Sequence, residues 1–236
     1  MDKKYPIIGI PGWRIGDNSF GISIPYLEFF NQYGIVKVLT LANSIDESID
    51  LLVIPGGVDV DPRRYGAVPS FETSKSDPIK EYFETVVLPQ YIKHGTPVFG
   101  ICRGIQTIAV LYGATLIQDI RNHKTNESLD RVASVHHLKL LNNEFVTQFI
   151  KTLKDKNITL KVNSLHHQCV SGMNFPDTEF DVVAVYNEKN GPYSIEAIAH
   201  KTLPIMAVQY HPEEMGWEKL SDFMIETLIS KSKNYA

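Results

Sequence analysis

The sequence predicts a three-layer α/β/α fold with a mainly parallel central sheet. Short apolar runs, several of them rich in β-branched residues, alternate along the chain with segments of helical periodicity, which is the pattern of strands joined by covering helices. The apolar runs are continuous, as in strands that are buried on both faces. Because the 236 residues are 43% hydrophobic, they suffice for one core, and we expect a single domain over residues 1–236.

Five continuous apolar runs are the predicted strands of the parallel sheet: residues 7–10, 36–39, 51–54, 98–101 and 205–209. Five segments are the predicted helices: residues 26–33, 79–92, 103–112, 144–153 and 217–230. The second helix has the clearest start signal, with Asp77 as the N-cap residue and Pro78 in the first turn.

The pattern changes between about residues 132 and 199. Shorter runs, some of them alternating, predict further strands at residues 135–141, 159–162, 180–186 and 195–199. We interpret these as a mixed-sheet extension or side layer of the same domain, with some strands antiparallel. The longest irregular segment is residues 56–76, and a loop of that length in a compact domain is usually functional or mobile.

Charge and composition exclude several classes of protein. The formal net charge is -4 and no block of like charges occurs, so we expect no nucleic-acid partner. No apolar run approaches the ~18 residues of a membrane span, and the first one is too short for a signal peptide. Two cysteines are too few for a disulfide scaffold. A cytoplasmic, reduced protein is the simplest expectation, and a homo-oligomer is left open.

The strongest catalytic signal surrounds Cys102. A predicted buried strand ends at this residue and a helix follows at once, while Gly100 and Gly104 permit a strained turn in which a Cβ would clash. This is the nucleophile-elbow arrangement with cysteine in place of serine, and it holds the sulfur at a helix N-terminus, where the dipole favours the thiolate. A buried structural cysteine is the alternative. Because that alternative leaves both glycines unexplained, we predict that Cys102 is a nucleophile.

A thiolate nucleophile needs a base that a third group orients. The last predicted strand ends near His211, and Glu213 follows around Pro212, so a proline turn can bring the carboxylate back to its own histidine. On its own, this could be a histidine at a strand end with an exposed glutamate. Together with the elbow, it predicts His211 as base and Glu213 as its orienting group.

An acyl-transfer site also needs an oxyanion hole. The backbone N–H of Arg103 follows the nucleophile, and the N–H of Gly57 follows another buried strand, although a glycine pair alone could be simply a turn. Nucleophile, base and oxyanion donor would then lie at the carboxyl ends of three strands, where open α/β sheets bind ligands.

Three further features allow two interpretations each. Gln106 lies one helical turn after Cys102 and could reach a substrate at the sulfur, or be an ordinary amide on a partly buried helix. The His136-His137 and His166-His167 pairs suggest a metal, but adjacent side chains point apart and no other ligand has suitable spacing, so we predict no metal. Cys169 lies in an apolar context and is predicted to be a packed small residue.

These motifs together resemble a known family. The segments that match the three signatures of class I glutamine amidotransferases are Gly100 to Gln106, Pro55-Gly56-Gly57 and His211-Pro212-Glu213. The segments that resemble the γ-glutamyl-γ-aminobutyrate hydrolase branch, or peptidase C26 group, are Asp59 to Pro62, Tyr65-Gly66 and Val162 to Gln168. The resemblance covers nearly the whole chain and implies a flavodoxin-like fold.

The resemblance also implies roles for particular residues. It implies Cys102 as nucleophile, His211 as base and Glu213 as its orienting group, with Gln106 and the backbone near His167 and Gln168 holding the glutamyl head group. One departure is that Lys80-Glu81 stands where the family usually has Arg-Asp. The charge pattern is kept, but any specific role there is left open.

We therefore expect a cofactor-independent cysteine hydrolase of small-molecule γ-glutamyl amides that acts through a γ-glutamyl thioester. The first alternative is a glutaminase subunit that delivers ammonia to a separate synthetase. The second is a non-catalytic binding module on the same fold, because fold and motif do not prove turnover.

Overall fold

The computed structural model describes residues 5–41, 44–120, 131–153, 160–187, 193–216 and 218–232. The strands in these ranges are β1 (Ile7–Pro11), β2 (Trp13–Ile15), β3 (Ser19–Gly21), β4 (Ile35–Leu39), β5 (Leu51–Ile54), β6 (Val98–Ile101), β7 (Leu116–Ile117), β8 (His136–His137), β9 (Lys139–Leu140), β10 (Lys161–Val162), β11 (Cys169–Val170), β12 (Phe180–Asn187), β13 (Tyr193–His200) and β14 (Ile205–Val208). The α-helices are α1 (Ile24–Phe30), α2 (Pro78–Tyr82), α3 (Leu88–His94), α4 (Arg103–Leu111), α5 (Glu144–Thr152), α6 (Pro212–Met215) and α7 (Lys219–Ser230).

An eight-stranded sheet in the order β4-β1-β5-β6-β14-β13-β12-β9 lies at the centre of the molecule. The first five strands of this order are parallel, and the last three extend the sheet in antiparallel fashion. The carboxyl ends of β5, β6 and β14 therefore meet at one edge of three adjacent strands. This edge is where open parallel sheets bind ligands.

Helices cover both faces of the sheet. Apolar side chains of α1, α5 and α7 pack on one face, among them Phe29, Phe149 and Met224. Side chains of α3 and α4 pack on the other face, among them Leu88 and Ile108. The predicted three-layer α/β/α fold is confirmed. None of the helices in the described ranges combines the length and apolar character needed to cross a membrane.

The five predicted parallel strands agree with β1, β4, β5, β6 and β14 to within one residue at each end. The predicted helix at residues 79–92 runs from Pro78 to His94, and a π-helical turn at Phe83–Val87 separates α2 from α3. Asp77 caps it as predicted, because its side chain accepts a hydrogen bond from the Ile79 N–H. The predicted helices at residues 26–33 and 217–230 correspond to α1 and α7, which begin at Ile24 and Lys219, with Trp217 outside the described residues.

The antiparallel half differs most from the prediction. The expected strand at residues 135–141 is two short strands: β8 pairs with β10 in a small separate sheet, and β9 joins the edge of the main sheet. The expected strand at residues 159–162 is only β10 within the described residues. The sequence also did not reveal the β2–β3 hairpin or the β7–β11 pair, because strands of two or three residues carry too little periodicity to detect.

Candidate active site

Cys102 lies in the turn between β6 and α4 with φ 52° and ψ -104°. Among the described residues it is the only non-glycine with positive φ, a conformation that costs about 1–3 kcal/mol unless the surroundings impose it. A Cβ on Gly100 would lie 2.7 Å from Ile108 Cδ1, and one on Gly104 would lie 2.4 Å from the Ile54 carbonyl oxygen. The two glycines therefore permit the close packing of strand, turn and helix that the elbow prediction requires.

His211 and Glu213 form a buried pair at the end of β14. The distance from His211 Nδ1 to Glu213 Oε1 is 2.6 Å, and Pro212 begins α6 between them. Burial by itself lowers the pKa of His211, but the Glu213 carboxylate and the Cys102 sulfur outweigh it and raise that pKa well above its ordinary value. The pair thus favours an imidazolium beside the Cys102 sulfur.

Asn163 holds the backbone of His211 in place. Its Oδ1 accepts from the His211 N–H at 2.8 Å, and its Nδ2 donates to the His211 carbonyl at 3.0 Å. Tyr210, the preceding residue, donates to Glu218 Oε2 at 2.7 Å and so ties the segment to the start of α7. Asn163 falls in a segment that the sequence analysis singled out, but nothing in the motif itself indicated that it contacts the histidine.

The turn at Gly56 packs against both catalytic candidates. A Cβ on Gly56 would lie 2.7 Å from His211 Cε1 and 3.4 Å from Cys102 Cβ. The Gly56 N–H donates to the Tyr26 hydroxyl at 2.8 Å. By contrast, the N–H groups of Gly57 and Arg103 donate to no protein acceptor within the described ranges. Gly57 and Arg103 thus stay predicted oxyanion donors, and the buried Tyr26 adds a contact to this turn that the sequence did not indicate.

The side chain of Arg103 has a separate, structural role. It is fully buried, and its guanidinium donates to both Glu84 carboxylate oxygens, to Glu81 Oε1 and to the Val58 carbonyl. Glu81 and Glu84 also bind Arg64. Glu81, half of the Lys80-Glu81 departure, thus belongs to an ion-pair network that anchors the start of the loop at residues 56–76.

The residues expected to hold the glutamyl head group differ in burial: Gln106 and Gln168 are buried, whereas His167 is partly exposed. Gln106 is buried, and its Nε2 donates to the Gln168 carbonyl at 3.1 Å and to Gln209 Oε1 at 3.3 Å. Gln209 Nε2 in turn lies 3.6 Å from Cys102 Sγ. Gln209 was missed, although it stands only two residues before His211. The Gln209 side chain therefore connects Gln106, and through it the Gln168 carbonyl, to the Cys102 sulfur.

His167 lies apart from this buried group. Its side chain is 39% exposed and lies between Asp59 and Asp119, with its ring nitrogens 3.3 and 3.2 Å from their Oδ1 atoms. The carbonyl of His167 accepts from the Ile120 N–H at 2.8 Å. The imidazole is thus placed between two carboxylates and away from the buried amides.

A second histidine–carboxylate cluster lies behind the amides. His136, His166 and Glu196 are buried, and their ligand-type atoms lie within 4.8 Å of one another. This is the group of side chains in the described ranges that could hold a metal ion. Sequence spacing did not reveal this cluster, because residues 30 positions apart meet from separate segments of the chain, with His136 in β8, Glu196 in β13 and His166 in the loop before β11. His166 Nδ1 also lies 3.0 Å from the Gln168 carbonyl, which links the cluster to Gln106.

An open cleft of about 290 Å³ adjoins His211 and Gly57. Its lining carries both signs of charge and two aromatic rings: Trp13, Arg14, Tyr26, Asp77, Lys80, Arg131 and Glu214 contribute to it. The cleft can therefore admit a polar small molecule beside His211 and Glu213.

The fold and the elbow define a protein of the class I glutamine amidotransferase type. A solved glutamine amidotransferase from Thermotoga maritima superposes on 96% of this chain and 85% of that chain, with a TM-score of 0.59 at 15% identity. The peptidase C26 family matches residues 35–213, and the chain belongs to that family.

Named relatives agree with this class. The glutamine amidotransferase-like protein YvdE of Lactococcus lactis is 29% identical over 170 residues, which are 72% of this chain and 68% of the relative. The phosphoribosylformylglycinamidine synthase subunit PurQ of Sulfurimonas denitrificans is 30% identical over 189 residues, 73% of this chain and 75% of the relative.

Proposed function

We propose that the chain is a cysteine-dependent hydrolase of γ-glutamyl amides. The observation that carries the proposal is the 2.6 Å contact between His211 and Glu213 beside a cysteine held at positive φ. Such a strained nucleophile next to an oriented imidazole is the arrangement that acyl transfer requires. Because the nucleophile must be a free thiol, the proposal includes a reducing, cytoplasmic setting.

In the proposed acylation step, the Cys102 thiolate attacks the γ-carbonyl carbon and forms a carbon–sulfur bond. The N–H groups of Gly57 and Arg103 stabilise the oxyanion of the tetrahedral intermediate. Protonated His211 then gives its Nε2 proton to the nitrogen as the carbon–nitrogen bond breaks, and the amine leaves. Glu213, bound to Nδ1, keeps this tautomer and stabilises the imidazolium.

In the proposed hydrolysis step, neutral His211 takes a proton from a water molecule, and the resulting hydroxide attacks the thioester. The carbon–sulfur bond breaks, glutamate leaves, and the thiolate–imidazolium pair is restored. No metal or redox cofactor takes part in either step, because the proton and the acyl group move only between Cys102, His211, substrate and water.

Substrate recognition follows from the groups on each side of the sulfur. The buried amides of Gln106 and Gln209, with the backbone at Gln168, suit the fixed polar groups of the glutamyl half. His167 has a partly exposed ring and suits a position at the entrance of the proposed substrate site. The amine half would occupy the cleft beside Gly57, and its mixed charge suits a polar amine.

The second candidate function is that of a glutaminase subunit. It is favoured by the 30% identity to PurQ, whose name describes a synthase subunit. In that case the leaving amine would be ammonia, and hydrolysis would depend on a synthetase partner. The chemistry at Cys102 would be unchanged.

The test is glutamate release by the purified chain from γ-glutamyl-γ-aminobutyrate, other γ-glutamyl amines and L-glutamine, without ATP and with a chelator present. We expect hydrolysis of at least one γ-glutamyl amine, its loss in Cys102→Ala, and its retention in the matched control Cys169→Ala. No release from any γ-glutamyl amine would contradict the proposal. Release from L-glutamine alone, and only with an added synthetase, would establish the second candidate.

A further inference from the structure

Lys80, which stands where the family usually has arginine, lines the cleft beside Gly57 and His211. Lys80 is the middle residue of the five-residue helix α2 and is 7% exposed. Its Nζ donates to the Gly56 carbonyl at 2.8 Å. Nζ also lies 4.4 Å from the centroid of the Trp13 ring. No carboxylate in the described ranges comes within ion-pair distance of this ammonium group. A buried cation is therefore directed at one backbone carbonyl.

That carbonyl belongs to the same peptide unit as the proposed oxyanion donor. A trans peptide is planar, so the Gly56 C=O and the Gly57 N–H point in opposite directions. Fixing the oxygen on the Lys80 side therefore fixes the N–H on the other side. The Gly56 N–H is held separately by Tyr26, and a Cβ at Gly57 would lie 2.7 Å from Lys80 Cε. The lysine stem thus occupies the space that a larger residue would need.

We propose that Lys80 is a positioning residue of the oxyanion hole: its ammonium group orients the Gly56–Gly57 peptide and strengthens the Gly57 N–H as a donor to the developing oxyanion. A hydrogen bond to a charged donor polarises the peptide it binds, and this effect is larger in a buried site than in water. The inference rests on the proposed amidase function.

The surroundings of Lys80 predict how its effect depends on pH. Burial lowers the pKa of Lys80 to about 8; Arg103 acts in the same direction, while Glu84, Asp77 and the Cys102 sulfur oppose it. Below that pH the lysine is an ammonium ion. As the pH rises through it the charge is lost, so the oxyanion contribution should weaken in the alkaline range.

The experiment compares Lys80→Met, which keeps the stem without the charge, with Lys80→Arg, which keeps a cation at all accessible pH values. Lys93→Met, on an exposed position of α3, is the matched control. The readouts are kcat and KM for a γ-glutamyl amide across pH, the melting temperature, and the rate at which iodoacetamide alkylates Cys102. Alkylation needs the thiolate but no oxyanion hole.

We expect Lys80→Met to lower kcat about 10–100-fold with KM and alkylation changed less than about threefold, since loss of a whole oxyanion donor costs about 10²–10³. Lys80→Arg should restore much of kcat and move the alkaline decline to higher pH. A folded Lys80→Met with the kcat of the wild type would overturn the inference. So would a parallel loss of kcat and alkylation, which indicates general damage to the site. A wild-type chain that hydrolyses no γ-glutamyl amide would instead contradict the proposed function itself.

Discussion

The described residues contain two buried histidine–carboxylate groups that differ in how they are built. His211 and Glu213 are two residues apart, joined by a proline turn, with a nitrogen–oxygen distance of 2.6 Å. Glu196 meets His136 and His166 from separate segments, at 3.7 and 3.8 Å. A short, local pair holds one imidazole in one orientation. A longer-range cluster holds segments of the chain together.

Each group also has a cysteine beside it. Cys102 adjoins His211 in the strained elbow, whereas Cys169 lies near Glu196 in an ordinary strand pair. Burial, with a smaller contribution from the Glu196 carboxylate, raises the pKa of Cys169 to about 12. We therefore expect Cys169 to react slowly, because its thiol is buried and its pKa is raised. We also expect substitutions of His211 or Glu213 to affect catalysis, and substitutions of Glu196 to affect stability.

The largest effect is expected for His211→Ala. Loss of the base and of its proton to the leaving amine should lower kcat/KM by about 10³-fold or more, since general acid–base catalysis contributes about 10²–10⁴. The measurement is γ-glutamyl amide hydrolysis, with the exposed His137→Ala as control. A loss below tenfold in His211→Ala would remove the histidine from the proposed mechanism.

Alkylation should separate the two cysteines. Limited iodoacetamide treatment followed by peptide mapping should label Cys102 at least about 100-fold faster than Cys169, because only the thiolate reacts and Cys169 has a raised pKa. Equal labelling of the native protein, or preferential labelling of Cys169, would contradict the nucleophile assignment.

Glu213→Gln should have a smaller effect than His211→Ala, because the imidazole remains in place. We expect kcat to fall about 10–100-fold, since orientation and charge stabilisation of the imidazolium are weakened but the base is kept. The double variant His211→Ala/Glu213→Gln should be hardly worse than His211→Ala alone, because members of one catalytic unit are not additive. Additive losses would show that Glu213 acts independently of His211.

The smallest effect on catalysis is expected for Glu196→Gln, which should lower kcat less than about tenfold. The same substitution should lower the free energy of unfolding by about 1–3 kcal/mol at pH 7. Burial raises the pKa of Glu196, but His136, His166 and Ser194 outweigh it and lower that pKa below 4.5. Stability from this group is therefore present above pH 4.5 and lost as pH falls below it.

Urea unfolding of wild type and Glu196→Gln at neutral and acid pH measures this difference, with the exposed Glu226→Gln as control. The stability gap should narrow in acid. A Glu196→Gln variant as stable as wild type at neutral pH would contradict the structural role of Glu196. A variant that loses catalysis as completely as His211→Ala would contradict the difference between the two groups.

The parallel half of the fold was predictable because its strands are continuous apolar runs that alternate along the chain with segments of helical periodicity. In the antiparallel half, β12 and β13 agree with the strands predicted at residues 180–186 and 195–199. The small sheet of β8 and β10 was not predictable, since these strands have only two residues each and their partners are set by distant contacts. The same division holds in the site. Local spacing in the sequence was enough to predict Cys102, His211, Glu213 and the glycine turn. The structure places these residues at the ends of adjacent strands.

By itself, the sequence determined the α/β/α layers, the strained turn at Cys102 and the partnership of His211 with Glu213. All three depend on residues close together in the chain, where glycine, proline and periodicity act directly on the backbone. Only the tertiary structure decided that Lys80 holds the peptide of Gly57, and that Glu196 joins two distant histidines. Such contacts arise where buried polar groups must find partners across strands and helices, and no local pattern encodes which partner they meet.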